Sequence, residues 1–266
     1  MKQRLDSLLT ERNLAPSREK ARSLIMAGLV SVDGKPVTKA GEQVAEAANI
    51  LVKEDAIPFV SRGGLKLQKA MQVFPISLEN EICADIGAST GGFTDCMLQH
   101  GAAHVYAIDV GYGQLDWKLR NDERVTVMER TNARFMEPGW FQEPISFASI
   151  DVSFISLRLM LVPLFSCLTE DGAVVALIKP QFEAGRADVG KNGVVRDPAV
   201  HCRVCKEIVS FAEQTGYVVS GLSFSPITGP KGNIEYLLWL TKHGMPANAT
   251  EETIKSMVAE SHTSCI

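Results

Sequence analysis

The stretch Cys83-Ala84-Asp85-Ile86-Gly87-Ala88-Ser89-Thr90-Gly91-Gly92-Phe93-Thr94 constrains the fold more than any other. A short apolar run enters a turn with three glycines, and an amphipathic run leaves it. A strand–glycine turn–helix unit of this kind brings backbone N–H groups and a helix N-terminus close to a ligand, and glycines leave room for the approach. From residue 81 the same alternation recurs, with strands expected at about 82–87, 104–109, 125–129, 146–151, 173–179, 218–224 and 234–241. Helical stripes fill the gaps near 92–100, 114–120, 156–167 and 198–215. Alternation of this type predicts a largely parallel sheet. Gly229-Pro230-Lys231-Gly232-Asn233 is too short for a crossover helix, so the last strand runs antiparallel to its predecessor. The expected fold is α/β: a doubly wound, mostly parallel seven-stranded Rossmann-like sheet with an antiparallel last strand.

The glycine turn does not fit a dinucleotide. Gly87-Ala88-Ser89-Thr90-Gly91-Gly92 departs from the G-x-G-x-x-G spacing that seats a pyrophosphate. A doubly wound sheet closed by a hairpin resembles the class I S-adenosylmethionine (SAM) methyltransferases, whose cofactor has no phosphate. That resemblance implies a SAM seat made by Asp85, Gly87, Ser89, Thr90, Gly91, Gly92 and Phe93. Asp85 suits the cofactor's ammonium group. Asp109 ends the second strand, where a carboxylate accepts from both ribose hydroxyls; a strand-end turn aspartate is the plainer, lesser alternative. Asn132 follows the third strand and is assigned to the adenine edge.

Charged residues gather at the strand ends that line the crevice of such a sheet. Asp151 closes the fourth strand, Lys179 closes the fifth before Pro180-Gln181-Phe182, and Glu235 opens the otherwise apolar last one. Buried charges need partners. Lys66, in the helix expected after Ser61, is a candidate fourth member. From spacing alone, two unrelated structural salt bridges account for these residues as well.

The first 40 residues carry eight basic side chains against four acidic ones, in a chain of net charge −4. A basic segment on an acidic body points to local contact with a polyanion. Residues 3–10 place Leu5, Leu8 and Leu9 on one helical face, and Pro16 ends that helix. Ser17 reads as the N-cap of a second helix, about Arg18 to Ala27. Asp33-Gly34 marks a tight hairpin between short strands.

This part resembles the S4 RNA-binding domain through Arg4-Leu5-Asp6, Ser17-Arg18-x-x-Ala21, Ile25-x-x-Gly28, Val30-x-Val32-Asp33-Gly34 and Lys35-x-Val37. The resemblance implies a small α+β domain with Arg4, Arg18, Lys20 and Arg22 on RNA phosphates, which set affinity and position rather than sequence choice. A solvated basic helix face is the plainer alternative.

The body resembles the FtsJ/RrmJ-like ribose 2′-O-methyltransferases, whose Lys-Asp-Lys-Glu tetrad maps onto Lys66, Asp151, Lys179 and Glu235. Ser89-Thr90-Gly91-Gly92-Phe93 stands where FtsJ has Ala-Pro-Gly-Gly-Trp, with Phe93 as the stacking aromatic. An S4 module before this body is similar to the TlyA/hemolysin-A-type rRNA methyltransferases. The resemblance implies SAM as cofactor, ribosomal RNA or ribosomal subunits as partner, no metal, and Lys179 as general base. Asp151 and Glu235 orient the two lysines, and Asp151 also faces the SAM ammonium. The implied organisation is 1–58 S4-like domain, 59–80 linker and first catalytic helix, 81–244 methyltransferase domain and 245–266 polar tail. Arg62 at the joint, and Arg186, Lys191 and Arg196 in the glycine-rich segment Glu183–Asp197, are further RNA candidates; that segment is expected to be a mobile loop over the RNA entrance.

Composition narrows the classes. No apolar run reaches the length of a membrane span, and Met1 to Asp6 is not a signal sequence, so a cytoplasmic protein is expected. The six cysteines are scattered, and His201-Cys202-Arg203-Val204-Cys205 lacks the second pair of a structural zinc site. Two other function classes stay open: an RNA-binding factor with a vestigial SAM site, and a membrane-active hemolysin. The target nucleotide and the oligomeric state are not legible.

Overall fold

The computed structural model describes residues 2–15, 17–26, 28–52 and 58–264. Met1, Pro16, Ala27 and Cys265, used above, lie outside the described residues. The chain divides into two compact units, Met1–Pro58 and Phe59–Ile266.

The first unit contains β1 (Lys2–Arg4), α1 (Leu5–Glu11), α2 (Arg18–Met26), β2 (Val30–Val32), β3 (Lys35–Pro36), β4 (Gln43–Ala45) and β5 (Ile50–Val52). The first helix starts two residues later than its apolar stripe predicts. Lys2–Arg4 is drawn instead into an antiparallel pair with β4. Strand β2 is the centre of a three-stranded sheet, between β3 and β5. The tight turn forms with Asp33 at φ 50 and Gly34 at φ 78, the left-handed pair that a two-residue hairpin needs. Ser17 caps α2, its Oγ accepting from the Lys20 N–H at 3.1 Å. Leu5, Leu8, Leu9, Ala21, Ile25 and Val30 form the core.

The second unit holds α3 (Gly63–Val73), β6 (Ile82–Ile86), α4 (Gly92–Gln99), β7 (His104–Ile108), α5 (Trp117–Arg120), β8 (Val125–Met128), β9 (Ile145–Ile150), α6 (Arg158–Cys167), β10 (Leu168–Ile178), α7 (Pro180–Glu183), α8 (Pro198–Thr215), β11 (Val218–Phe224), β12 (Tyr236–Thr241) and α9 (Glu251–Ser264). Seven strands lie in the order β11-β12-β10-β9-β6-β7-β8. Strand β12 is antiparallel to both neighbours, and the other pairings are parallel. The chain runs outward from β6 to β8, then returns to β9 on the other side. The crevice at this switch point, above the carboxyl ends of β6 and β9, is where such sheets bind ligands.

Two expectations change and one open reading is decided. The polar tail, which its sequence leaves open between a short helix and disorder, forms α9, which buries Ile254 and Val258 against α8 and β11, a stripe of i,i+4 spacing diluted by charged neighbours. Helix α5 is only Trp117–Arg120, because 114–116 is spent on a turn in which the Asp116 N–H donates to the Thr90 carbonyl. The segment 183–197 is pinned at both ends rather than loose throughout. The Glu183 carboxylate accepts from the Leu157 N–H and the Ser156 hydroxyl, while Val194 and Val195 are buried. Its exposed parts are 185–188, 190–192 and 196–197.

Candidate active site

The glycine turn is dictated by packing. Gly87 has φ +88, and a Cβ there would stand 2.7 Å from the Asp151 carbonyl oxygen. It brings the β6 turn against the end of β9. Gly91 has φ +90 and faces Leu119, whose Cδ1 would lie 2.3 Å from an added Cβ. Gly92 faces the start of α3: a Cβ there would meet Ser61 Oγ at 2.3 Å and the Gly64 nitrogen at 2.8 Å. The expectation that these glycines open the backbone to a ligand therefore needs correcting: Gly91 and Gly92 admit protein. Gly64, in turn, makes room for Phe59 at 2.3 Å. Gly64 is thus a packing device, whereas a Cβ at Gly63 would meet only ordinary contacts, Ser61 Oγ at 3.4 Å being the nearest. Ser61 makes no side-chain cap; the residue preceding α3 is Arg62.

Asp85 lies under this turn, 1 % exposed. Its carboxylate accepts from the Thr94 N–H at 2.9 Å and the Thr94 hydroxyl at 2.7 Å. The Ser149 hydroxyl donates at 3.0 Å. Burial pushes the Asp85 carboxyl up to about 6, against these hydrogen bonds. It joins the start of α4 to β9 and does not line the cavity described below. Phe93 is likewise buried, at 3 %, and does not line it. Thr90 is exposed beside it.

A cavity of about 330 Å³ opens above β6, β7 and β9. Gly87, Ser89, Asp109, Asn132, Asp151 and Ser153 supply its polar wall, and Ile108, Val110, Ala133 and Met160 its apolar one. Asp109 is fixed by two backbone donors, the Ser89 N–H at 2.8 Å and the Gly111 N–H at 2.7 Å. Asn132 Oδ1 accepts from the Arg134 N–H at 3.2 Å. Sequence reasoning missed Ser153 and Phe154, although both directly follow Asp151. Phe154 lines the cavity with φ 64 and is 90 % exposed.

The four charged residues meet at one end of this cavity. Lys66 Nζ lies 3.0 Å from Asp151 Oδ2 and 2.7 Å from Glu235 Oε2. Lys179 Nζ lies 2.5 Å from Asp151 Oδ1, and donates to the Ser153 hydroxyl at 3.2 Å. The side chains of Lys66, Lys179 and Glu235 are all under a tenth exposed. Each comes from a different element: α3, the end of β10, the turn after β9, and the residue before β12. Glu235 sits against Gly229, where a Cβ would stand 2.4 Å from Oε1. Burial pulls the Lys66 ammonium toward losing its proton, but Asp151 and Glu235 outweigh it and hold the group above the ordinary lysine value. Burial would likewise raise the Asp151 carboxyl; Lys66 and Lys179 overcome it and hold it below the usual carboxylate range. The four formal charges sum to zero, as a buried cluster requires.

The RNA candidates fall in several places. Arg4, Arg18 and Arg22 surround Asp6 in the first unit. Lys20 and Arg62 are half-buried, whereas Arg186, Lys191 and Arg196 are exposed on the segment that leads to α8. His201, Cys202 and Cys205 sit on α8, where the His201 ring bonds the Tyr236 hydroxyl at 2.7 Å and the Val195 carbonyl at 3.1 Å. That histidine is a core residue tying the 194–195 segment to β12. Among the described residues, no helix is long and apolar enough to cross a membrane.

An open α/β sheet of this order, closed by an antiparallel strand and with its cavity at the β6 switch point, defines a SAM-dependent methyltransferase. The chain belongs to the FtsJ-like methyltransferase family, whose model matches residues 59–242, and it carries an S4 domain over residues 3–50. It is 53 % identical over 265 residues to the "Putative rRNA methyltransferase YqxC" of Bacillus subtilis, covering 98 % of this chain and 94 % of that protein. It is 43 % identical over 261 residues to the 16S/23S rRNA (cytidine-2′-O)-methyltransferase TlyA of Mycobacterium tuberculosis, covering 97 % of each. A solved structure entitled "Putative hemolysin from Streptococcus thermophilus" matches with TM-score 0.79 and 50 % identity, over 99 % of this chain and 96 % of that one.

The cavity fits the family's cofactor. Apolar walls face a polar edge, Asp109, fixed by two backbone donors at the end of β7, would accept from the ribose hydroxyls, and the Asn132 amide would meet the base edge. Asp151 lines the same cavity and would face the cofactor's ammonium group.

Proposed function

We propose that the protein transfers the methyl group of SAM to a ribose 2′-hydroxyl of ribosomal RNA, on a cytidine as in its relative's name, in the cytoplasm. The observation that carries this reading is the Lys66–Asp151–Lys179–Glu235 cluster at the end of the cavity. Bound SAM supplies a methyl group already activated by its sulfonium. The protein must orient a hydroxyl in line with it and remove one proton. Both tasks fall to the tetrad, and neither calls for a metal.

The two lysines are not equivalent. Lys66 faces two carboxylates and keeps its proton. Lys179 faces one carboxylate and the Ser153 hydroxyl, which lines the cavity. Lys179 is therefore the general base, taking the 2′-hydroxyl proton on Nζ. Asp151 holds both lysines in register, and Glu235 anchors Lys66. Phe154, exposed at the mouth, offers an aromatic face to a base taken out of its stack. Within this reading residues 1–58 hold RNA and 59–244 carry the chemistry, with 245–266 serving the catalytic unit through α9.

Lys179→Ala tests the assignment. Methyl transfer from tritiated SAM to 16S and 23S rRNA is expected to fall by about 10²- to 10⁴-fold. SAM affinity, measured by calorimetry, is expected to hold, because Lys179 does not line the cavity. Normal turnover in this variant removes Lys179 from the mechanism. Loss of SAM binding reassigns it to the cofactor seat.

A further inference from the structure

We propose that Asp6 is a positioning residue that holds Arg4, Arg18 and Arg22 as a preassembled seat for an RNA phosphodiester. The inference rests on the reading that the first unit binds RNA.

Asp6 lies in the first turn of α1 with its side chain 1 % exposed. A carboxylate so placed is costly unless its charge is matched. The match comes from three guanidinium groups on two elements. Arg4, at the end of β1, donates from Nε to Oδ1 at 3.0 Å and from Nη2 to Oδ2 at 2.7 Å. On α2, Arg18 Nη2 is 3.6 Å and Arg22 Nε 4.0 Å from the same Oδ2. The three arginine side chains remain 44 %, 59 % and 60 % exposed.

This geometry does two things at once. Arg18 and Arg22 stand at i,i+4, where like charges repel and spread into separate rotamers. A buried anion beneath them opposes that spread. Each guanidinium also has five N–H donors, so Asp6 occupies a minority and leaves the outer ones for a ligand. Arg4 is further confined by Gly41, where a Cβ would stand 3.3 Å from Nη1. The cluster has a net charge of +2 and is assembled before RNA arrives. Ordering three flexible side chains is a cost that RNA binding then avoids.

The sign of the effect separates positioning from charge. Neutralising an acid on an RNA-binding surface ordinarily tightens binding, because one repulsion of phosphate is removed. Asp6→Asn is expected to do the opposite. Glu19→Gln makes the same change in net charge on an exposed carboxylate of α2 and serves as the reference.

The experiment measures binding of the full-length protein to transcribed 16S and 23S rRNA across a salt series. Melting curves of each variant are recorded alongside. Asp6→Asn is expected to weaken binding about three- to tenfold, while Glu19→Gln leaves it unchanged or tighter. Asp6→Asn tightening as Glu19→Gln does overturns the proposal. Asp6→Glu retains the charge but displaces it, and serves if the amide variant does not fold. It too is expected to weaken binding about threefold, and unaltered affinity there overturns the proposal. Arg4→Ala and Arg18→Ala supply the remaining control. If neither changes affinity, the RNA reading of the first unit fails. If both weaken binding and Asp6→Asn does not, only the role of Asp6 fails.

Discussion

Asp6 and Asp151 do the same thing in two regions: each gathers cations around one carboxylate. Around Asp6 are three arginines, about half exposed, with an excess of positive charge. Around Asp151 are two lysines under a tenth exposed, and Glu235 brings the cluster to neutrality. Exposure decides what each cluster can do. Half-exposed guanidiniums keep donors free for another anion, and arginine never gives up its proton. Buried ammonium groups spend their charge on the carboxylates beside them, and lysine can release a proton when its surroundings ask for it. One arrangement is built to hold a polyanion and the other to move a proton.

The largest effect that separates them is on stability. Lys66→Met keeps the apolar stem and removes the charge, leaving Glu235 buried with no cation and Asp151 with one. Breaking a buried pair in this way costs about 3–5 kcal/mol. Urea unfolding of the catalytic unit is expected to show a loss of that order. A loss below about 1 kcal/mol would mean that the tetrad is solvated like the Asp6 cluster, and the contrast would dissolve.

The sheet was legible because its period is short and its strands are apolar runs between turn signals. The order of charges along it was legible for the same reason, since Asp151 and Lys179 close strands and Glu235 precedes one. What sequence could not show was direction. Gly91 and Gly92 read as ligand glycines, yet their missing side chains make room for Leu119 and Ser61. Asp85 read as a cofactor contact, yet Thr94 and Ser149 take its oxygens. Both belong to a turn whose neighbours, α3 and β9, are remote in sequence. Helix α9 could not be told from a disordered tail because its buried residues are few and its composition is that of a linker. Lys2–Arg4 was misread because a three-residue strand leaves no periodic signal, and its partner lies some 40 residues away.

A pH titration of stability gives the next effect. Asp85 is a buried carboxylate with no cation, and its folded value is raised from 3.8 to about 6. The folded state therefore holds that proton more tightly than the unfolded state. Its contribution is fully present below about pH 4 and is lost as pH rises through 6, by at most about 3 kcal/mol. Asp85→Asn is expected to remove this slope, since its amide oxygen still accepts from Thr94 and its NH₂ finds the Ser149 hydroxyl. Asp6 and Asp151 have the opposite sign, because Arg4 in one case and the two lysines in the other hold them below the ordinary range. Their contribution is present above about pH 4 and is lost on further acidification. A variant that keeps the pH 4–6 slope shows that another group carries it.

The smallest effect tests the exposed side of the contrast. Arg22 is the outermost of the three arginines, 4.0 Å from Asp6 and 60 % exposed. Truncating it removes one weak ion pair, and Arg4 still satisfies Asp6 on both oxygens. Arg22→Ala is therefore expected to shift unfolding by less than about 0.5 kcal/mol. Its mark should appear only in RNA binding, as a fall of about one in the slope of log affinity against log salt, equal for every rRNA sequence tried. SAM affinity should not move. A destabilisation as large as that of Lys66→Met would make Arg22 part of a buried network, and the Asp6 cluster would then be a structural charge centre rather than a phosphate seat.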